Sequence, residues 1–237
     1  MRSAFEQLLL PAECALCHAL LPDDRSSDLV CPVCRHRWRA VVAPWCERCG
    51  QPEPLFGACR VCCDWPPTFR HARSAVWLDP AARRAVHLLK YGGLPRIADD
   101  LAAAMARVPL PNRAAALLVP VPLSPRRQRS RGYNQSVRLA RALARHWRRP
   151  MSDLLIRTRE TVTQTALTPA SRLANVAGAF ALVRGQATLP SQTVVVLVDD
   201  VFTTGATLAA ASRALEDAGA RDIAAVTFGR AVIPDFT

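Results

Sequence analysis

The stretch that most constrains the fold of this chain is residues 194–208, which read VVVLVDDVFTTGATL. Its first five residues are all apolar, and such an unbroken run is typical of a strand buried on both faces in a parallel sheet. The alanine-rich pattern over residues 208–218 is typical of a helix, and Gly219 supplies a natural C-terminal stop. The stretch therefore predicts a strand, a short loop and a helix in an α/β protein.

The loop between this strand and this helix has the composition of an anion site. It contains hydroxyl groups and small residues that let a phosphate approach the backbone: Thr203, Thr204, Gly205, Ala206 and Thr207. The backbone N–H groups and the positive dipole end of the following helix favour the same ligand. Asp199 and Asp200 come where the strand is expected to end, at the usual ligand edge of an open α/β sheet.

Two acids beside a phosphate site suit the hydroxyls of a sugar attached to that phosphate, or a metal ion that bridges the two groups. The alternative is a plain buried strand with an acidic cap on the next helix. The full pattern is much longer than a glycine-rich turn alone, which favours the sugar-phosphate interpretation.

This segment resembles the phosphoribosyl-pyrophosphate (PRPP) motif of the type I phosphoribosyltransferases. In that family the acidic pair holds the ribose hydroxyls, and the threonine-rich loop holds the 5′-phosphate. The resemblance implies a type I phosphoribosyltransferase fold, which is an α/β fold with a Rossmann-like parallel sheet. It also implies that Asp199 and Asp200 are catalytic residues that contact the ribose, and that residues 203–207 bind the phosphate.

Eight of the nine cysteines form four CxxC pairs in the N-terminal part of the chain. The two thiolates of one pair can bind one Zn²⁺, and a second pair completes a tetrahedral site. One zinc site is predicted at Cys14, Cys17, Cys31 and Cys34, and the other at Cys46, Cys49, Cys59 and Cys62. A crossed arrangement, in which the first pair joins the third and the second joins the fourth, is the alternative, because spacing does not fix connectivity.

The cysteine-rich segment is too small and too rich in proline to fold by hydrophobic burial alone, so zinc is expected to supply the missing stability. The sequence WPPT over residues 65–68 breaks its pattern. We therefore predict a double zinc ribbon over residues 1–68 and a phosphoribosyltransferase-like domain over residues 69–237. Zinc ribbons serve both as structural caps and as interaction or nucleic-acid modules, and both interpretations stay open.

The net charge of +12 is spread unevenly along the chain. Residues 1–68 carry seven arginines and eight acidic residues, a net charge of −1, whereas residues 69–237 carry +13. That charge should attract polyanions such as PRPP or nucleic acid. The apolar runs are too short for a membrane span or a signal peptide, so we expect a cytoplasmic protein without membrane insertion.

The most basic segment is residues 124–136, SPRRQRSRGYNQS, which follows a second candidate buried strand over residues 114–123. We predict a strand-end loop whose arginines bind the ligand. Lys90 lies at the end of a helix predicted to run from Pro80 to Gly92, where it could face the same ligand. A lysine in a last turn is also favourable against the helix dipole, and neither interpretation is preferred.

Three further segments are similar to the ComF/GntX family of competence-associated proteins. They are residues 89–93 (LKYGG), residues 119–136 (from VPVPL to RGYNQS) and residues 161–180 (from TVTQT to RLANVAGAF). With the cysteine module and the PRPP motif, the resemblance covers nearly the whole chain. It implies a role in the uptake or nutritional use of DNA, with single-stranded DNA and a competence helicase as partners.

The resemblance also implies roles for the remaining candidate residues. PRPP would bind together with Mg²⁺, with Arg126, Arg127 and Arg131 on the pyrophosphate side. Lys90 would also belong to the residues that bind PRPP. Residues 158–172, including Arg159, would form the flexible catalytic loop.

One departure concerns the chemistry, because Thr203 stands where purine-salvage members of the superfamily have an aspartate that assists the base. That mechanism is disfavoured, and the sequence offers no clear general base. We therefore expect a Mg²⁺-dependent phosphoribosyltransferase with an unknown acceptor. The alternative is a non-catalytic adaptor that binds single-stranded DNA on a vestigial phosphoribosyltransferase fold.

Overall fold

The structure is a computed structural model that describes residues 12–22, 28–52, 59–159, 178–185, 189–190 and 192–232. Within them the α-helices are α1 (Pro32–His36), α2 (Pro80–Tyr91), α3 (Ala98–Met105), α4 (Pro125–Arg131), α5 (Gln135–Trp147) and α6 (Ala206–Asp217). The strands are β1 (Phe69–Trp77), β2 (Ala116–Pro120), β3 (Leu155–Arg157), β4 (Phe180–Leu182), β5 (Val194–Phe202) and β6 (Asp222–Arg230). Short 3-10 turns at Pro95–Ile97 and Arg113–Ala115 precede α3 and β2. None of the helices described is long and apolar enough to cross a membrane.

Four parallel strands form the main sheet in the order β1-β6-β5-β2. β5 lies inside the sheet, where Val196 is in register with Leu118 of β2 on one side and with Ala224 of β6 on the other. Residues 194–198 are all buried, which confirms the prediction of a strand covered on both faces. The parallel sheet flanked by helices is the α/β fold class that the sequence predicts.

The two faces of β5 belong to two different hydrophobic cores, because successive side chains of a strand point to opposite faces. Val196 and Val198 pack in a core with the buried side chains of α2, α3 and α5. Val195 and Leu197 pack in a second core with the buried alanines and leucines of α6. Both cores therefore fix the position of the acidic pair that follows Val198.

One strand boundary differs from the sequence prediction. β5 continues beyond the acidic pair to Phe202. Asp199 is therefore a sheet residue, in register with Thr227 of β6, and does not follow the strand. The apolar pattern ended the strand too early because backbone pairing with β6 continues where the side chains become polar.

The prediction of a loop at residues 124–136 is wrong for part of this segment, because α4 occupies residues 125–131. Ser124 caps this helix by accepting a hydrogen bond from the backbone N–H of Arg127 at 3.4 Å, and Pro125 fits its first turn. The helix ends at Gly132, whose φ of +79° lies in the left-handed region that glycine favours. Capping residues on both sides of the arginines thus overcome the repulsion between them.

β3 and β4 form a separate antiparallel pair, in which Ile156 is in register with Ala181. They flank residues 160–177, which lie outside the described residues. The predicted catalytic loop over residues 158–172 is therefore described only at Thr158 and Arg159, and Arg159 is exposed directly after β3.

Polar contacts fasten the cysteine-rich module to the sheet domain. Arg35 of α1 pairs with Asp100 of α3, and its Nη2 also lies 2.8 Å from Oδ2 of Asp28. At the end of β6, Nη1 of the buried Arg230 donates to the carbonyl oxygen of Cys49 at 2.9 Å. The module is thus attached both to a helix and to a central strand.

The Arg35–Asp100 pair is largely buried, since the Asp100 side chain is only 3 % exposed. Burial raises the pKa of the Asp100 carboxyl above its ordinary value, although Arg35 and the N–H of Leu29 favour the ionised form. The desolvation penalty of the Asp100 carboxylate therefore exceeds the favourable free energy of its interaction with Arg35, as is common for buried ion pairs.

Replacing Arg35 by methionine should destabilise the zinc-loaded protein by about 3 kcal/mol, because Asp100 then keeps a buried charge without its cation. The double change Arg35→Met with Asp100→Leu should recover most of that loss, and urea unfolding followed by circular dichroism measures both. The matched control is Arg145→Met, which breaks the exposed Arg145–Asp99 pair and should cost less than about 1 kcal/mol. Equal losses for the two single variants would contradict this account of the attachment.

Candidate functional site

The acidic pair on β5 forms the centre of the candidate site. Oδ1 of Asp199 accepts a hydrogen bond from the Ser136 hydroxyl at 2.8 Å and another from the backbone N–H of Asp200 at 2.9 Å. Asp200 is buried, and its Oδ2 forms an ion pair with Nζ of Lys90 at a distance of 2.5 Å. Both carboxylates are therefore held in place, one by hydrogen bonds and the other by a cation.

Burial and mutual repulsion set the protonation of this pair. Burial, followed by the negative charge of Asp200, raises the pKa of Asp199 to about 7. Burial alone would lower the pKa of Lys90. The carboxylate of Asp200 acts in the opposite direction and more than offsets burial, so the pKa of Lys90 lies above its ordinary value. Lys90 therefore stays an ammonium at neutral pH, whereas Asp199 titrates near it.

Contacts between two distant segments place Lys90 at the site. The Tyr133 hydroxyl donates a hydrogen bond to the carbonyl oxygen of Leu89, next to Lys90 in the last turn of α2. The guanidinium of Arg131 lies over the ring of Tyr91, 4.9 Å from its centroid. The segments LKYGG and RGYNQS, which are separated in sequence by β2, thus interlock beside the acidic pair.

The N-terminus of α5 positions Ser136. The Asn134 side chain caps this helix by accepting a hydrogen bond from the backbone N–H of Ser136 at 2.9 Å. The amide nitrogen of the same side chain donates to the carbonyl oxygen of Val121, just after β2, at 3.0 Å. One asparagine therefore fixes the start of α5 to the end of β2 and aims the buried Ser136 at Asp199.

The predicted phosphate loop lies between β5 and α6. α6 begins at Ala206 and has no side-chain cap that satisfies the backbone N–H groups of its first turn. The Thr204 hydroxyl accepts a long hydrogen bond of 3.5 Å from the backbone N–H of Ala206. The uncapped N–H groups and the positive end of a twelve-residue helix provide the donors that an anion requires.

Gly205 is required for a reason that the sequence did not reveal. A Cβ at this position would lie 2.7 Å from the Trp65 ring and 2.9 Å from the Phe202 ring, and its φ of +75° is in the left-handed region. Trp65 also stacks on Phe69, with ring centroids 4.3 Å apart. The loop therefore rests on an aromatic cluster that begins at the end of the cysteine module.

The structure brings four of the predicted site residues together: Lys90, Arg131, Asp199 and Asp200. Of the predicted phosphate-binding residues, Thr203, Thr204 and Gly205 form the loop after β5, and Ala206 and Thr207 begin α6. Arg126 and Arg127 lie on α4, where Arg126 is exposed and Arg127 is half-buried. Arg159 follows β3, at the edge of the segment that the structure does not describe.

Sequence reasoning missed the contributions of Ser136, Tyr133 and Asn134 to the site. All three belong to the RGYNQS segment, which stands out in the sequence for its arginines and its family resemblance. Their roles depend on partners far away in sequence, since Ser136 and Asp199 are 63 residues apart. A serine two residues after an asparagine that can cap a helix was the available signal, but it does not identify the partner.

The cysteines form two groups of four sulfur atoms, each group lying within 4.8 Å. The groups are Cys14, Cys17, Cys31 and Cys34, and Cys46, Cys49, Cys59 and Cys62. This is the sequential pairing predicted from the spacing, and not the crossed alternative. Cys63 is exposed and stays outside both groups.

Four sulfur ligands in a compact group suit tetrahedral Zn²⁺. Burial, followed by the charges of Cys62, Cys46 and Cys59, raises the pKa of the Cys49 thiol. The buried thiolates therefore repel one another unless a cation balances them, and a divalent ion would stabilise all four together. This chemistry supports a structural zinc in each group.

Comparisons with known proteins agree with both modules. Residues 134–231 match the Phosphoribosyl transferase domain family, and residues 5–64 match the Double zinc ribbon domain family. "DNA utilization protein YhgH" of Salmonella typhi is 36 % identical over 231 residues, covering 91 % of this chain and 96 % of that protein. "Competence protein ComFC" of Bacillus subtilis (strain 168) is 28 % identical over 210 residues, covering 84 % of this chain and 81 % of that protein. "Competence protein F" of Haemophilus influenzae is 38 % identical over 107 residues, covering 45 % and 46 %.

The purified protein should contain about two zinc ions per chain, one for each group of four cysteines. The double change Cys17→Ser with Cys34→Ser should leave about one zinc ion, because both substitutions fall in the first group. Plasma mass spectrometry of protein purified without chelator measures this content. The control Cys63→Ser should keep both ions, and loss of both ions in the double variant would contradict the sequential pairing.

Proposed function

The chain belongs to the ComF family, and we propose that it acts in the uptake or utilization of DNA as a PRPP-binding phosphoribosyltransferase. The observation that carries the proposal is the placement of an acidic pair and an uncapped helix N-terminus at the end of the same strand. The names of the related proteins support the role in DNA uptake or utilization, and the match to the Phosphoribosyl transferase domain supports the ligand.

The ligand would be divided among three groups of residues. Carboxylate oxygens of Asp199 and Asp200 can accept hydrogen bonds from the ribose hydroxyls. The first turn of α6 and the hydroxyls of Thr203, Thr204 and Thr207 would hold the 5′-phosphate. The pyrophosphate would face the cations on the α4 side, which are Lys90, Arg126, Arg127 and Arg131. Each charged part of PRPP thus finds a group of opposite charge or a donor.

The acidic pair also fits Mg²⁺, because carboxylate oxygens are the ligands that this ion prefers. Mg²⁺, when bound, would neutralise part of the charge of the departing pyrophosphate. The chain's own residues would orient the sugar through Asp199 and Asp200, and the arginines would stabilise the leaving group. Arg159 and the rest of residues 158–172 are proposed to cover the ligand as the flexible catalytic loop.

In the phosphoribosyl transfer that we propose, the bond between the sugar C1 and the pyrophosphate oxygen breaks and a bond to the acceptor forms. The positive charge that develops on the sugar would be stabilised by the neighbouring carboxylates. Thr203 is half-buried and carries no basic group, so the acceptor must be able to react without a base at that position.

We place the protein in the cytoplasm, whose reducing conditions keep zinc-binding thiols available.

A second candidate is the non-catalytic adaptor that binds single-stranded DNA, with a competence helicase as a further partner. The net charge of +13 over residues 69–237 and the names of the relatives favour it. This candidate uses the basic surface of α4 and leaves the acidic pair without a ligand.

Calorimetric titration of PRPP with Mg²⁺ into the zinc-loaded protein should give micromolar binding. Asp200→Asn should weaken it at least about tenfold, because a carboxylate that accepts sugar hydroxyls loses its charge. The matched control Asp217→Asn removes the same charge at the far end of α6 and should leave binding unchanged. Undetectable PRPP binding, together with salt-dependent binding of a thymidine oligonucleotide that Arg126→Ala/Arg131→Ala abolishes, would favour the adaptor instead.

A further inference from the structure

We propose that Lys90 is a specificity-determining residue that makes binding at the acidic pair conditional on a ligand with an anionic group at C1 of the sugar. The inference rests on the proposed function, because it concerns which sugar phosphates the same site accepts. It would make PRPP a ligand and exclude ribose 5-phosphate, which has the same sugar and 5′-phosphate but only a hydroxyl at C1.

Lys90 is paired with the Asp200 carboxylate, which is the group that the sugar hydroxyls are proposed to contact. Its Nζ lies 2.5 Å from Oδ2 of Asp200, and the Asp200 side chain is 5 % exposed, so little room remains beside that oxygen. A ribose hydroxyl that donates to this oxygen has to displace the ammonium. If no other anion takes the place of Asp200, the displaced ammonium of Lys90 is left without a partner. It would then lie beside Arg131, whose positive charge already disfavours the ammonium.

The ammonium of Lys90 can form a new ion pair only when the ligand brings an anion. The Lys90 side chain is 23 % exposed and has a flexible four-carbon stem, so its amino group can move while Leu89 stays fixed by Tyr133. Arg131 lies over Tyr91, the residue next to Lys90. A pyrophosphate near these two cations would attract both and would release Asp200 to the sugar.

PRPP and ribose 5-phosphate differ in the groups that they bring to this ion pair. PRPP brings an anion for Lys90 and hydroxyls for Asp200 at the same time, so Lys90 keeps an anionic partner and Asp200 keeps hydrogen-bond donors. Ribose 5-phosphate brings the hydroxyls alone, and its binding must break the ion pair without compensation. Discrimination therefore arises from a competitor built into the site, in addition to the attraction between the cations and pyrophosphate.

Lys90→Met should shift the two affinities in opposite directions. It should weaken PRPP binding, because pyrophosphate loses a cation, and it should strengthen ribose 5-phosphate binding about tenfold, because the hydroxyls no longer compete with an ammonium. A purely structural role of Lys90 would weaken both ligands together. Lys90→Arg should keep the wild-type preference, and Arg84→Met, which removes an exposed cation from the same helix, should change neither affinity.

A titration with Mn²⁺ alone decides the inference independently of PRPP. Lys90→Met leaves the acidic pair without its internal cation, so the zinc-loaded variant should bind Mn²⁺ about tenfold more tightly than the wild-type protein, as measured by electron paramagnetic resonance. If the wild-type protein binds no PRPP, the proposed function fails, and the Mn²⁺ result still reports whether Lys90 competes for the carboxylates. Equal Mn²⁺ affinity in both proteins, or parallel loss of both sugar phosphates, would overturn the inference.

Lys90 can also be observed directly, because it is the only lysine of the chain. In protein labelled with ¹³C-lysine, a single Cε resonance reports on this side chain. PRPP with Mg²⁺ should shift that resonance strongly and ribose 5-phosphate at the same concentration should not. Equal shifts with both ligands would contradict the exchange of partners.

Discussion

Two adjacent carboxylates held at the end of a central strand are the constraint on which the rest of the site depends. Their repulsion, added to burial, has to be balanced by positive charge or by protons. In the structure, Lys90 supplies the charge at Asp200, and Ser136 supplies a hydrogen bond at Asp199. The elements that carry these two groups, α2 and α5, are packed against the same face of the sheet. The fold thus collects the partners that the acidic pair needs.

The cysteine module contributes to the site through side chains that pack beneath the phosphate loop. Trp65 lies at the junction of the two modules, and its ring fills the space that a side chain at position 205 would occupy. Arg230 lies over the ring of Phe202, with its guanidinium carbon 4.4 Å from the centroid, and also donates to the carbonyl oxygen of Cys49. Zinc binding, which would order the segment around Cys49, is therefore linked through Arg230 and Phe202 to the base of the phosphate loop.

The sequence predicted the parts of the fold that follow from local patterns. Periodicity predicts the buried strand β5, and capping predicts the end of α2 at Gly92. The spacing of the cysteines favours the sequential groups, and the structure decides between them and the crossed alternative. What the sequence could not supply were contacts between distant segments. Nothing near Ser136 in sequence indicates that it donates to Asp199. The arginines within residues 125–131 favour a loop in the sequence, whereas Ser124 and Gly132 cap a helix there in the structure. The contact of Lys90 with Asp200 depends on how α2 crosses the sheet, which no local pattern encodes.

The protonation of Asp199 is the most direct test of the account, since it follows from the burial of two carboxylates at a site that is proposed to bind a cation and a sugar. In ¹³C NMR titrations of the wild-type protein, with the Asp199 carboxyl assigned by its loss in Asp199→Asn, that group should titrate near pH 7. Addition of PRPP with Mg²⁺ should lower the pKa of Asp199, because a nearby cation and hydroxyl donors favour the ionised form. A pKa near 4 that PRPP and Mg²⁺ leave unchanged would contradict the claim that this strand end is a PRPP site.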